Sequence, residues 1–174
     1  MVDKILQRAR FSTLLVLMLG LAACGYKPLY STSADRPGVA DALSSISVQE
    51  ADSRAGQLVR NNLLSSMRPT GTPMQDRYSL ALAPEVTKTT LVNQEFPGTE
   101  RYRLRLIVNY QLTELSSGKQ VNGGKTFSTV SFDGVHQPVA DLQAEANALD
   151  RAAREVGTDI HTRLAAFMAS RGST

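Results

Sequence analysis

The sequence has no Trp, one Cys and two His among 174 residues. A single Cys excludes a disulfide framework. Neither His136 nor His161 has neighbours at a metal-ligand spacing. His161 reads as a surface or packing residue of a helix, and His136, shortly before Pro138, as a solvated loop residue. There is no Gly-x-Gly-x-x-Gly, Walker loop, Gly-x-Ser-x-Gly or His-Glu-x-x-His. The carboxylates are scattered without an evident acid/base pair, so nothing nominates an enzyme and no cofactor or metal is called for. Long apolar runs are also missing: a membrane-spanning helix needs roughly 20 such residues. What remains, 42% hydrophobic and 20% charged, is ordinary enough to exclude a collagen or a disordered tail. The length allows one domain.

The longest apolar stretch is Phe11–Ala23, 13 residues that follow Lys4, Arg8 and Arg10. A positive start, a short apolar run and a small-residue end make a signal peptide over 1–23. The run closes on Leu21-Ala22-Ala23-Cys24, which resembles a bacterial lipobox. There the Cys thiolate is the nucleophile that takes a diacylglycerol, and cleavage frees an α-amine for further acylation. The alternative is a buried Cys at the end of a short core helix. Gly25 is not the Asp that retains enterobacterial lipoproteins at the inner membrane, which is compatible with outer-membrane delivery.

The formal charge of +3 points towards nucleic acid until the signal segment is set aside. Removing its three basic and one acidic residue leaves 16 Lys plus Arg against 15 Asp plus Glu, a net charge near +1. No electrostatic basis for nucleic-acid binding survives. The mature chain then divides into a tether, 24–40, with two Pro and two Gly but also Tyr26, Leu29 and Tyr30, and a single domain, 41–174.

Within that domain Ile46 and Val48 alternate with polar residues as a short strand. Asp52 or Ser53 offers an N-cap, and Ala55, Val59, Leu63 and Met67 form one helical stripe, ended by Pro69, Gly71 and Pro73. Tyr78, Leu80 and Leu82 start a second strand that Pro84 restricts to an edge or breaks, with extended character resuming over Val86–Val92. Asn93–Gly98 is a turn that exposes Phe96. Arg101–Leu112 alternates most clearly: Tyr102, Leu104, Leu106, Val108, Tyr110 and Leu112 share one face, Arg101, Arg103 and Arg105 the other. Ser116–Lys119 reads as a hairpin turn, Gly123-Gly124 as a bulge site, and Lys125–Phe132 as the return strand. From Val139 to Met168, apolar residues from Leu142 through Phe167 recur at steps of three and four, a long helix in which Gly157 marks a bend or close packing.

The order β-α-β-β-β-α, with one apolar stripe per helix, predicts an α+β two-layer fold: two helices on one face of a four-stranded mixed sheet. The other face stays uncovered and carries Arg101, Arg103 and Arg105. That row is either a solvated face with Arg paired to nearby carboxylates, or an acceptor for phosphate or carboxylate groups, which Arg binds with two parallel bonds.

Cys24-Gly25-Tyr26-Lys27-Pro28-Leu29-Tyr30, Arg60-Asn61-Asn62-Leu63, Tyr102-x-Leu104-x-Leu106-x-Val108-Asn109, and Phe132-Asp133 followed by a long helix with Asp150-Arg151-Ala152-Ala153 together resemble the LptE lipopolysaccharide-assembly lipoproteins, alphaproteobacterial type. The resemblance spans nearly all of the mature chain. It implies two helices on a four-stranded sheet, no catalysis, and an outer-membrane lipoprotein, lipid-anchored on the periplasmic side. It further implies that the protein sits in the lumen of the β-barrel LptD, assists its assembly and binds lipopolysaccharide. Enterobacterial members carry basic residues in the turn between the middle strands and in the loop before the last helix. Here that turn is Asn93–Gly98 and that loop, Gly134–Ala140, has only His136, so those positions do not carry over. Lys88, Arg101, Arg103, Arg105 and Lys125 are nominated in their place by chemistry alone. A free-standing periplasmic lipid-binding lipoprotein is the alternative reading; it needs a cavity between sheet and helices. A periplasmic enzyme is a weaker third.

Overall fold

The computed structural model describes residues 38–68, 75–91 and 100–172. The signal segment, Cys24, most of the tether, the stop at Pro69–Pro73 and the turn at 93–98 lie outside the described residues. Ile46 and Val48 do form a short strand, β1 (Ile46–Val48), but a six-residue helix, α1 (Val39–Ser44), precedes it. That helix takes in Val39 and Ala40 from the stretch read as tether. It was not legible because its only buried residue is Leu43, too little for a periodic signal.

Helix α2 (Arg54–Met67) starts where Ser53 accepts the Gly56 amide at 3.1 Å, an N-cap bond to an otherwise unpaired donor. Its stripe of Ala55, Val59, Leu63 and Met67 is buried. Arg60 leaves the stripe and donates to the Val48 carbonyl at 3.2 Å, and Arg68 donates to the Ile46 carbonyl at 3.0 Å. Both ends of β1 are thereby tied to α2. In Arg60-Asn61-Asn62-Leu63 the Arg is this tie, Leu63 is core and Asn61 is exposed.

Three long strands follow: β2 (Tyr78–Leu91), β3 (Glu100–Glu114) and β4 (Gln120–Gly134). The sheet order is β1-β2-β3-β4, with β1 parallel to β2 and the remaining pairs antiparallel. Pro84 does not break β2. β1 covers only Tyr78–Leu80, so Pro84 stands where β2 is paired on one side alone, and its missing N–H costs no bond on the open edge. The β3–β4 turn closes with Gly118 at φ +65, a left-handed value suited to Gly. The bulge falls two residues before Gly123-Gly124: Leu112 opposes Asn122 and Thr113 opposes Gln120, leaving Val121 as the extra residue.

The last helix, α3 (Pro138–Gly172), has 35 residues and spans roughly 52 Å at 1.5 Å per residue. It runs antiparallel to β4, as successive contacts show: Thr126 donates to Asp159 and Ser128 to Glu155, both at 2.5 Å, and the Val135 amide donates to Asp141 at 2.8 Å. Its core stripe is Ala148, Ala152, Val156, Ile160, Leu164 and Met168. Leu142 does not belong to it; this residue is 70% exposed, and the buried stripe of α3 begins only at Ala148. Gly157 marks close packing: a Cβ there would stand 3.2 Å from Asn62 Cβ of α2.

Both long helices lie on one side of the sheet, and Leu80, Leu104, Leu106, Val108, Leu112, Ile160 and Leu164 fill the layer between them at 1% exposure or less. The two-layer α+β reading therefore holds, with one short helix added. His161 sits half-buried on α3, and burial pushes its pKa below the ordinary value. The unfolded chain then takes up this proton at a higher pH than the folded one, so the contribution is full above about pH 6.5 and lost as pH falls through the lowered value. We expect the melting temperature to fall from pH 7 to pH 5 and the fall to be smaller in His161→Gln, read by circular dichroism.

Candidate functional site: the open face of the sheet

Alternation along β3 sends even-numbered residues to the helices and odd-numbered ones to the opposite face. Leu104, Leu106, Val108, Tyr110 and Leu112 are buried, while Arg101, Arg103, Arg105, Asn109 and Gln111 are exposed. Register carries this division across the sheet. Arg101, Arg103 and Arg105 oppose Asp133, Ser131 and Thr129 on β4, and Thr89 and Thr87 oppose Arg103 and Arg105 on β2. Lys125 opposes Asn109 and so joins the same face.

Four of the five nominated residues are thus brought together, and the fifth is not. Lys88 opposes Leu104, which puts it on the helix side. There its Nζ is 2.7 Å from Glu145 of α3 and 5.4 Å from the centre of the Tyr102 ring. Tyr102 stacks on Phe132 at 5.2 Å and donates to Glu100. Lys88 accordingly belongs to a bridge between β2 and α3, on the opposite face of the sheet from the Arg row.

The four cations on the open face differ in state. Arg101 is bound to Asp133 at 2.8 Å. The hydrogen bond and charge of Asp133 raise the Arg101 pKa, and Arg101 in turn holds the Asp133 carboxyl below its ordinary value. Arg105 stands over an aromatic ring, its guanidinium carbon 4.4 Å from the Phe127 centroid, a cation–π contact. Arg103 and Lys125 are exposed and have no ion-pair partner among the described residues.

Phe127 is the residue that sequence reasoning missed. It is 58% exposed and lies directly opposite Ile107. Its neighbours in sequence, Thr126 and Ser128, are buried at 4% and 5%. Polar residues point inwards here because α3 supplies an acceptor for each hydroxyl, Asp159 and Glu155. Burial raises the Asp159 pKa, but the Thr126 and Arg163 hydrogen bonds outweigh it and hold the carboxyl below its ordinary value. No signal in the sequence marks it: the pairing Leu106↔Ser128, which puts Phe127 outside against its hydrophobicity, exists only in the folded sheet.

Among the described residues, no group of three or more His, Cys, Asp and Glu is placed to hold a metal ion, and no helix is long and apolar enough to cross a membrane. The sheet is covered by helices on one side and carries cations and an exposed aromatic on the other. Residues 43–164 match the model of the LptE family, described as lipopolysaccharide assembly. A crystal structure of a Caulobacter crescentus protein described as a lipoprotein is 30% identical, covering 75% of this chain and 96% of that one, with a TM-score of 0.63. A minor lipoprotein from Acinetobacter baumannii, 14% identical over 70% of this chain and 90% of that one with a TM-score of 0.50, shares the fold. Among curated proteins none matches this sequence. The chain belongs to the LptE lipopolysaccharide-assembly family.

Proposed function

We propose that this protein is an outer-membrane lipoprotein, anchored through acylated Cys24 on the periplasmic side, that partners the β-barrel LptD. In this reading it plugs the barrel lumen, assists barrel assembly and takes part in delivering lipopolysaccharide to the outer leaflet, without catalysing a reaction. The observation that carries the reading is the family match over 43–164, almost the whole of the domain. The Leu21–Cys24 lipobox supports the anchor. A folded domain of this size with a cation-bearing open face suits a protein that works by contact.

The test is co-isolation. The affinity-tagged lipoprotein, extracted from membranes in mild detergent, is expected to bring LptD with it in comparable amount; purification alone overturns the reading. The residues proposed to meet lipopolysaccharide or the barrel are Arg101, Arg103, Arg105 and Lys125. Replacing Arg101, Arg103 and Arg105 together by Gln is expected to weaken binding to one of these two while the circular dichroism melt stays near wild type, since all three side chains are exposed. Unchanged binding to both returns the row to a solvated face.

A further inference from the structure

The open face has an apolar centre. Glu85, Ile107 and Phe127 line up across β2, β3 and β4 as direct register partners. Phe127 is 58% exposed with Arg105 stacked on it, and Arg103 and Lys125 flank the pair along their strands. A large aromatic left in water on a sheet face, with a guanidinium already desolvating one side of its ring, has the composition of an interface centre. Aromatic residues and Arg are enriched there, and polar groups form the rim.

Charge says what kind of surface fits. The face carries Arg101, Arg103, Arg105 and Lys125 against Glu85 and Asp133, so it is net positive and complementary to an acidic rim. A phosphate-bearing amphiphile fits less well. Arg101 is neutralised by Asp133, Arg105 is turned onto Phe127, and Glu85 stands beside the centre where an anionic headgroup would have to lie. Those same features are tolerated by a protein surface, which can meet each charge separately.

We infer that the open sheet face, centred on Phe127 and Ile107 and rimmed by Arg103, Arg105 and Lys125, docks a folded protein that presents an apolar hollow edged with carboxylates. This rests on the proposed function, in which that protein is the barrel. Truncating the central aromatic removes the anchor of such an interface, and removing Arg105 takes its covering cation with it.

The experiment compares four full-length tagged chains in their native envelope: wild type, Phe127→Ser with Arg105→Gln, Arg105→Gln alone, and Leu115→Ser. Leu115 is also exposed, at 51%, but lies in the β3–β4 turn off this face. Each is extracted in mild detergent, LptD is quantified by mass spectrometry, and binding of purified lipopolysaccharide to the isolated lipoprotein is measured alongside. The double variant is expected to recover at least about tenfold less barrel, a loss of the size that hot-spot truncations give. Arg105→Gln alone is expected to lose part of it and Leu115→Ser none, with melting curves and lipopolysaccharide binding unchanged. Equal barrel recovery by wild type and double variant overturns this inference and leaves the proposed function standing. Loss of lipopolysaccharide binding with the barrel retained overturns it in favour of a lipid site. Self-association of the wild type that the double variant abolishes overturns it in favour of a second copy. A wild type that recovers no barrel removes the proposed function and this inference together.

Discussion

Leu106→Ala is expected to destabilise the domain by about 2–5 kcal/mol, whereas Ile107→Ala, one residue along, costs no more than about 1 kcal/mol. The two side chains are isomers on one strand, so propensity and sequence context nearly cancel. What differs is the face. Leu106 is 0% exposed, beneath the helices, while Ile107 lies on the open side beside Phe127. Truncating Leu106 loses its transfer free energy and leaves a cavity that the strand cannot close, because β2 and β4 hold β3 in place on both sides. Truncating Ile107 opens no cavity. In thermal melts the difference amounts to roughly 6–15 °C for Leu106→Ala and a few degrees for Ile107→Ala. Equal losses would mean that the isolated protein already has something packed on the open face, and the account of that face as a docking surface would fail.

The second large effect concerns Cys24, proposed as the anchor. Cys24→Ser removes the thiolate that takes the diacylglycerol, and an uncleaved or unacylated product results. Each buried CH₂ contributes about 0.8 kcal/mol, so losing even one acyl chain of ordinary length removes on the order of 10 kcal/mol of membrane affinity. We expect the wild type to sediment wholly with membranes and to incorporate labelled fatty acid, and Cys24→Ser to incorporate none. The domain should be indifferent, since none of its described elements begins before Val39. Labelled fatty acid appearing in the Ser variant would sink the lipobox reading.

The architecture was legible because its main signals are local and periodic. β3 alternates without interruption over its buried half, and α2 repeats its apolar residues every four positions. Pro84 leaves an edge or a break open, and the structure takes the edge. A Pro argues against a strand only where both edges are paired, and sequence does not say that β1 is three residues long. Glycine alone points to a bulge at Gly123-Gly124, while the extra residue is Val121. Leu142 continues the periodic stripe of the last helix, yet burial starts only at Ala148; a stripe in sequence does not record where burial begins.

For the candidate site the division is sharper. Arg101, Arg103 and Arg105 were recognisable as one row because they alternate along a single strand, and a single strand is a local object. Lys88 and Lys125 were not separable by sequence. Which face each occupies depends on its register against β3, and a shift of one residue would exchange them. Phe127 was invisible for a related reason: it is outside because Thr126 and Ser128 are inside, and they are inside because Asp159 and Glu155, 33 and 27 residues along the chain, accept their hydroxyls.

By itself, then, the sequence determined the order of the four strands and two long helices, the apolar faces of α2 and β3 and the two-layer class, which follow from backbone periodicity and burial of one face, and it carried the family motifs as a matter of residue identity. Only the tertiary structure decided which cations share a surface, which one is spent on a helix contact, and that an aromatic stands in solvent among them. Those outcomes depend on pairing between distant segments, where one residue of register reverses every side chain.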